Sequence, residues 1–242
     1  MLVVENMLNF HIITLFPEAV ASYLDSSILG RAQKEKKIKI SYYNPRDFAG
    51  TVGQSVKGQL DYKKTDGRPY GGGPGMVMLA EPVLKAVAKA KSKIKSQKSK
   101  IFIFSPAGEL FDNKLADKLT GFKKGKWFDK LTTRHIVLVC GRYEGLDARV
   151  KKILKATDLS VGPYVLTGGE VPAMIVVDAI TRRLPGVLGK DESIEERRIS
   201  SAEVYTRPEV LTFDHKKYRV PKVLLSGHHA EIDQWRLKKG EG

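Results

Sequence analysis

Five segments of the chain combine glycine and proline at points where loops meet predicted strands or helices. They are residues 67–76, 104–108, 140–147, 160–170 and 182–189. Glycine is conformationally costly in such places and is used where the backbone must approach a ligand or another segment closely. The five segments therefore predict a ligand pocket that is built largely from backbone groups.

These glycine-rich segments lack the patterns that bind phosphate groups. Residues 67–76 have no Lys-Ser/Thr pair as in a P-loop, and no segment shows G-x-G-x-x-G after a strand. The pattern argues against a nucleoside triphosphate or a dinucleotide as ligand. A nucleotide-dependent oxidoreductase or phosphotransferase stays an alternative, which binding assays with NAD and ATP would test.

Thiol and metal chemistry are also disfavoured. The single cysteine, Cys140, follows the apolar run of residues 136–139, which predicts that it is buried. The five histidines show no metal-ligand spacing such as H-E-x-x-H. We expect no protein-bound metal site.

The charge of the chain points to a polyanionic partner. Lys and Arg number 42 against 27 Asp and Glu, which gives a net charge of +15 and a pI of about 9.7. Lysine that merely keeps the protein soluble is the alternative. No apolar stretch approaches the ~18 residues of a membrane span, and Glu5, Asn6 and Glu18 interrupt any signal sequence. We expect no membrane association and a cytoplasmic location.

The elements that must position the five segments follow from the apolar runs. Residues 9–16, 38–43, 100–104 and 135–140 are predicted strands, and helices are predicted from Pro17 towards Leu29 and over residues 81–94. Continuous apolar strands that alternate with helices indicate an α/β fold with a mostly parallel sheet covered on both faces. In such folds ligands bind at the carboxyl ends of the strands, where the glycine-rich segments lie.

The composition changes near residue 190. Residues 190–198 are densely charged, as in an exposed linker, and the residues after 202 are too few for an independent core. We predict a first domain of residues 1–189, a linker of residues 190–202 and a small C-terminal domain of residues 203–242.

Together with residues 205–210 and 224–232, the five segments resemble the bacterial tRNA (guanine-N1)-methyltransferases of the SPOUT superfamily. The resemblance covers nearly the whole chain. It implies a deep trefoil knot, a rare exception to unknotted topology. It also implies methyl transfer from S-adenosylmethionine to N1 of the guanosine just 3′ of the anticodon, position 37 of tRNA. A homologue that binds tRNA but is catalytically impaired is the alternative.

The resemblance carries the family's cofactor contacts onto three loops of this sequence. They fall on Ser105, Pro106, Gly141, Tyr143, Glu144, Val161, Gly162, Pro163, Tyr164, Val165, Leu166, Gly168 and Gly169. Pro163 stands where many relatives have aspartate, which removes a carboxylate and a backbone donor. S-adenosylmethionine carries no phosphate, so the missing P-loop is expected.

Methylation at guanine N1 requires a base for the N1 proton and a cation for the charge that develops at O6. The resemblance places the cation at Arg182, with Arg183 beside it. Counting forward from Gly189 puts Arg197 where the family has its catalytic aspartate, so the base is assigned to Glu196 or Glu195. The nearby Asp191 and Glu192 stay open as alternatives.

The resemblance also implies that this chain contacts tRNA and a partner subunit. Arg46, Arg68, Tyr70 and Arg183 lie where the family contacts RNA. The family's homodimers complete each site with the linker and C-terminal domain of the other subunit. Residues 203–242 correspond to a shortened tRNA-binding domain, and a role for Mg²⁺ is left open.

Overall fold

The computed structural model describes residues 7–50, 63–94, 99–123, 126–127, 135–188 and 203–240. The chain divides into two compact units, residues 1–187 and residues 188–242. The division lies close to the first predicted boundary, while the extent of the linker stays a prediction.

The first unit alternates strands and helices. Its strands are β1 (Leu8–Ile13), β2 (Ile38–Tyr43), β3 (Asp66–Gly67), β4 (Val77–Met78), β5 (Ser99–Leu110), β6 (Phe122–Lys123), β7 (Lys126–Trp127), β8 (His135–Val139) and β9 (Thr157–Ser160). Its helices are α1 (Pro17–Leu24), α2 (Ser27–Lys34), α3 (Ala80–Ser92), α4 (Asn113–Thr120), α5 (Ala148–Leu154) and α6 (Glu170–Thr181), with a 3-10 turn at Pro45–Phe48.

Five strands form one parallel sheet in the order β2-β1-β8-β5-β9. The predicted α/β class with a mostly parallel sheet is therefore confirmed. The edge strand β9 was not predicted, because its sequence Thr-Asp-Leu-Ser has no apolar run. The trefoil knot stays a prediction.

Helices cover both faces of this sheet. The apolar side chains of α1, α2, α4 and α6 pack on one face, and those of α3 and α5 pack on the other. Successive side chains of strand β8 point to opposite faces of the sheet. Ile136 and Leu138 pack with the helices of the first face, while Val137 and Val139 pack with α3 and α5 on the second. Burial on both faces explains why the strand reads as an unbroken apolar run.

Three element ends differ from the sequence prediction. Strand β1 stops at Ile13 because the Thr14 hydroxyl accepts a hydrogen bond from the Phe16 N–H at 3.0 Å and turns the chain. The helix predicted from Pro17 breaks at Ser26, whose extended ψ of 163° no helix can continue through. Strand β5 resumes after an outward bulge at residues 105–108, where its register with β9 shifts.

The second unit contains a hairpin and two helices. Strands β10 (Val210–Phe213) and β11 (Lys216–Arg219) are antiparallel, and helices α7 (Lys222–Leu225) and α8 (His229–Gly240) follow. Asp214 and His215 both have positive φ, as a two-residue hairpin turn requires. Within the described residues, no helix of either unit is long and apolar enough to cross a membrane.

Candidate functional site

A cavity of about 350 Å³ opens at the carboxyl ends of β8 and β9, beside the bulge of β5. We call it the strand-end cavity. It is lined by residues 103–106, 141–148, 151, 158–162, 164–169 and 172. Its position is where ligands bind in parallel α/β sheets.

The structure brings the predicted cofactor residues together. All of them except Pro163 line the strand-end cavity, although they come from three separate loops of the sequence. Pro163 is exposed and does not line it, so the departure from the family's aspartate lies outside the cavity wall.

Local hydrogen bonds fix the loop that follows β9. The Gly162 N–H donates to the Ser160 hydroxyl oxygen at 3.2 Å, and this hydroxyl donates to the Gly162 carbonyl at 3.0 Å. The Tyr164 hydroxyl donates to the Val161 carbonyl at 3.0 Å. These hydrogen bonds within the loop fix the shape of this wall of the cavity.

Charged groups around the rim are largely paired. Asp147 caps α5 and accepts hydrogen bonds from the Arg149 guanidinium and backbone N–H, which lower the pKa of its carboxyl to about 2. Lys151 pairs with Asp158 at 2.6 Å. The Asp147 carboxyl therefore stays ionised at neutral pH, and the charges of both carboxylates are partly balanced by protein cations.

Cys140 lies beneath the cavity floor and is buried, as predicted. Burial, reinforced by the nearby Glu170 carboxylate, raises the pKa of the Cys140 thiol well above its usual value. The thiol is therefore protonated at neutral pH and is a packing group rather than a nucleophile.

The predicted RNA-contacting loop adjoins the cavity. Strand β4 connects to the loop after β8, because the Met78 N–H donates to the Gly145 carbonyl at 2.9 Å and the Glu144 N–H donates to the Met76 carbonyl at 3.0 Å. Arg68 and Tyr70 lie in the loop between β3 and β4, and both are exposed. Arg46 lies in the 3-10 turn after β2, and Asn44 caps that turn.

The two adjacent arginines have different surroundings. Arg182 follows α6 and is half-buried. Arg183 is only 2% exposed, and its Nε lies 3.1 Å from Asp117 Oδ1 on α4. This burial favours a structural role for Arg183 over the predicted RNA contact. Glu195 and Glu196, like Asp191, Glu192 and Arg197, lie outside the described residues.

Sequence reasoning assigned no role to several charged groups of the cavity. Arg142, Asp147, Lys151 and Asp158 line it, and Glu170 lies behind it. Glu170 could have been found, because it is an acidic residue at the first position of a mostly apolar helix. Among the described residues, no cluster of three His, Cys, Asp or Glu side chains could hold a metal ion.

Comparisons with known proteins all match the same family of proteins. A family model described as tRNA (Guanine-1)-methyltransferase TrmD matches residues 8–242. A tRNA (guanine-N(1)-)-methyltransferase of Dictyoglomus turgidum is 41% identical over 96% of this chain and 85% of its own length. One of Buchnera aphidicola is 41% identical over 98% and 92%.

Solved structures show the same likeness. The crystal structure of tRNA (m1G37) methyltransferase from Aquifex aeolicus superimposes with a TM-score of 0.72 at 34% identity. The match covers 96% of this chain and 89% of that one. The likeness therefore extends over the fold as well as the sequence.

Proposed function

This chain belongs to the tRNA (guanine-1)-methyltransferase family, and we propose that its strand-end cavity binds S-adenosylmethionine as the methyl donor. As a member of that family, the enzyme transfers a methyl group to N1 of the guanosine 3′ of the anticodon in tRNA. Membership removes the oxidoreductase and phosphotransferase alternatives. No described feature favours a catalytically impaired homologue.

The observation that carries the cofactor proposal is the convergence of three distant loops on one cavity. Its volume of about 350 Å³ lies in the range of small-molecule sites. The walls combine backbone groups of glycine-rich loops with apolar side chains such as Leu146, Val161 and Leu166. These suit an adenosine and a methionine tail without phosphate groups.

When bound, S-adenosylmethionine supplies an electrophilic methyl group on a sulfonium sulfur. The protein must then accept the proton that guanine N1 loses, and we assign this role to Glu196 or Glu195. A positioned carboxylate base contributes roughly 10²- to 10⁴-fold to the rate. Arg182 is assigned the stabilisation of the negative charge that develops at guanine O6.

The basic and aromatic residues around the cavity support tRNA as the polyanionic substrate. Exposed Arg68 and Tyr70 lie on a loop joined by backbone hydrogen bonds to the cavity wall. Arg46 lies in the 3-10 turn after β2, the strand at the other edge of the sheet. Guanidinium groups and rings of this kind contact phosphates or stack on unpaired bases. Because the substrate is tRNA, we place the enzyme in the cytoplasm.

An exposed apolar stripe supports the homodimer. Val171 and Ile175 lie one turn apart on α6 and are 48% and 38% exposed, and Tyr23 on α1 lies beside them with its hydroxyl bonded to Asp178 at 2.6 Å. Adjacent exposed apolar groups mark association surfaces. We propose that a second subunit covers this stripe and that the linker of that second subunit completes the cavity. We also propose that the chain forms a trefoil knot. The methylation assay tests whether the reaction requires Mg²⁺.

The proposal is tested by methylation of an unmodified tRNA transcript that carries guanosine at position 37. Formation of 1-methylguanosine with S-adenosylmethionine is expected, and a matched transcript with adenosine at that position should stay unmodified. The assay is run with and without Mg²⁺. No product and no binding of S-adenosylmethionine would overturn the proposed function.

Separate variants then assign the roles. We expect Arg182→Ala to lower kcat by roughly 10²- to 10³-fold, since it removes the cation at O6, while Arg182→Lys retains part of the activity. Glu196→Gln or Glu195→Gln should lower kcat by roughly 10²-fold or more. Near wild-type activity in both glutamine variants would remove these two residues as the base and leave the cofactor proposal intact.

A further inference from the structure

A buried carboxylate lies directly behind the strand-end cavity. Glu170, the first residue of α6, is 5% exposed, and its Oε1 accepts a hydrogen bond from the fully buried Thr14 hydroxyl at 2.7 Å. Its Oε2 lies 3.0 Å from Arg142 Nε. One carboxylate thus joins the end of β1 to the loop after β8.

Arg142 is the member of this cluster that reaches the cavity. Its guanidinium lies over the Phe16 ring at 4.5 Å from the centroid, and its Nη1 donates to the Thr167 carbonyl at 3.4 Å. The side chain is 27% exposed and lines the cavity. Arg142 therefore links its own loop to the turn after β1 and to the loop before α6.

The contact between Arg142 and Glu170 depends on charge more than on hydrogen-bond direction. The two atoms are 3.0 Å apart, yet neither Arg142 Nε nor Glu170 Oε2 makes a well-directed hydrogen bond. The start of a helix also favours a negative charge. Replacing Glu170 by an uncharged side chain of the same size should therefore remove the attraction that holds the cluster together.

Gly168 shows how closely the ion pair fits between two walls of the cavity. Its backbone bridges that of Arg142, and a Cβ at this position would lie 2.5 Å from Arg142 Nε and 2.6 Å from Glu170 Oε2. The ion pair thus occupies the space that any side chain at position 168 would need. The ion pair therefore requires glycine at position 168, because it leaves no room for a Cβ.

We infer that Glu170 is a positioning residue for cofactor binding, acting through Arg142 and Thr14. Its carboxylate holds the loop after β8 and the loop before α6 at the separation that forms the cavity. A buried charge whose partner is lost is strongly unfavourable, so the three groups keep one arrangement. The inference rests on the proposed function, because it takes S-adenosylmethionine as the ligand of this cavity.

The test measures S-adenosylmethionine affinity in the full-length protein. Glu170→Gln keeps the size of the side chain and removes its charge. We expect the Kd and the KM for S-adenosylmethionine to rise roughly ten- to a hundredfold, as for loss of a charged buried contact. We expect kcat at saturating cofactor and the KM for tRNA to change little, because Glu170 touches no reacting group.

A second variant guards against misfolding of the first. Thr14→Val removes the hydroxyl donor at constant shape, and we expect a smaller rise in the cofactor Kd. We expect the double variant Arg142→Met/Glu170→Gln to have a cofactor Kd no higher than that of whichever single variant, Arg142→Met or Glu170→Gln, binds the cofactor more weakly. The reason is that both changes remove the same ion pair.

Asp117→Asn is the matched control. It breaks the ion pair with buried Arg183, which lies outside the cavity. It should lower the unfolding midpoint and leave the cofactor Kd unchanged. If Glu170→Gln and Thr14→Val behave in the same way as Asp117→Asn, Glu170 is merely structural and the inference fails. If the unchanged protein binds no S-adenosylmethionine, the proposed function itself fails and takes this inference with it.

Discussion

Two arginine–carboxylate pairs flank α6, and their surroundings give them different roles. Arg142 and Glu170 meet at its first turn, where the arginine lines the strand-end cavity. Arg183 and Asp117 meet just beyond its end, away from that cavity. The residue type alone does not distinguish these pairs. Their positions relative to the strand ends do, because only the first pair lies at the cavity, while the second connects α4 to the residues after α6.

A buried histidine predicts how stability depends on pH. Burial, with His135, Lys93 and Lys39 nearby, lowers the pKa of His11 from 6.5 to about 4, and its ring nitrogens lie 3.1 Å from Tyr43 Oη and His135 Nδ1. Between pH 6.5 and 4 the unfolded chain binds a proton that the folded chain does not. Stability therefore falls as the pH drops through this window, by roughly 2 kcal/mol between pH 7 and 5 for this one group.

The variant His11→Gln removes this contribution. Urea unfolding at pH 7 and pH 5 should show a smaller loss of stability in the variant than in the unchanged protein, whatever its stability at pH 7. An identical loss in both proteins would show that other groups account for the pH dependence.

At the scale of elements, the bulge in β5 carries part of the site. Ser105 and Pro106 reach the cavity because residues 105–108 leave the ladder before the strand resumes beside β9. Gly108 lies against the β9 backbone, where a Cβ would be 2.5 Å from the Asp158 carbonyl carbon and the Leu159 nitrogen. Since β9 leads directly into the cavity wall, we expect a shift in β9 to move that wall.

We expect Gly108→Ala to lower the free energy of unfolding by about 1–3 kcal/mol through overpacking, and to weaken S-adenosylmethionine binding. Denaturant unfolding and equilibrium binding measure the two effects. Gly50→Ala is the control, because a Cβ there meets nothing within 4 Å, and it should leave both quantities nearly unchanged. A fully stable Gly108→Ala protein with normal affinity would contradict this account of the bulge.

At the scale of the whole molecule, the exposed stripe of α6 and α1 predicts the assembly. Ile175→Glu places a charge in the proposed contact and should give a monomer in sedimentation experiments, with loss of methylation if, as proposed, a second subunit completes each site. Ile153→Glu is the control, since Ile153 is also exposed but lies on α5, which packs on the other face of the sheet. A monomeric unchanged protein, or a dimeric Ile175→Glu variant, would overturn the proposed interface.

The sequence by itself determined the fold class, the family and much of the cavity wall, although of its charged residues only Glu144. Continuous apolar runs such as residues 136–139 predict strands buried on both faces, because period and burial are local properties of the chain. The glycine-rich loops identified the family, and all but Pro163 of the cofactor residues that it implied line one cavity.

Only the tertiary structure decided what those local patterns leave open. The short strand β9 has no apolar signal of its own and forms because β5 offers it an edge. Arg183 is buried because Asp117 meets it from α4, and Glu170 joins two loops because Thr14 arrives from the end of β1, 156 residues away in sequence. Contacts between distant segments depend on how the layers pack, and no window of neighbouring residues contains that information.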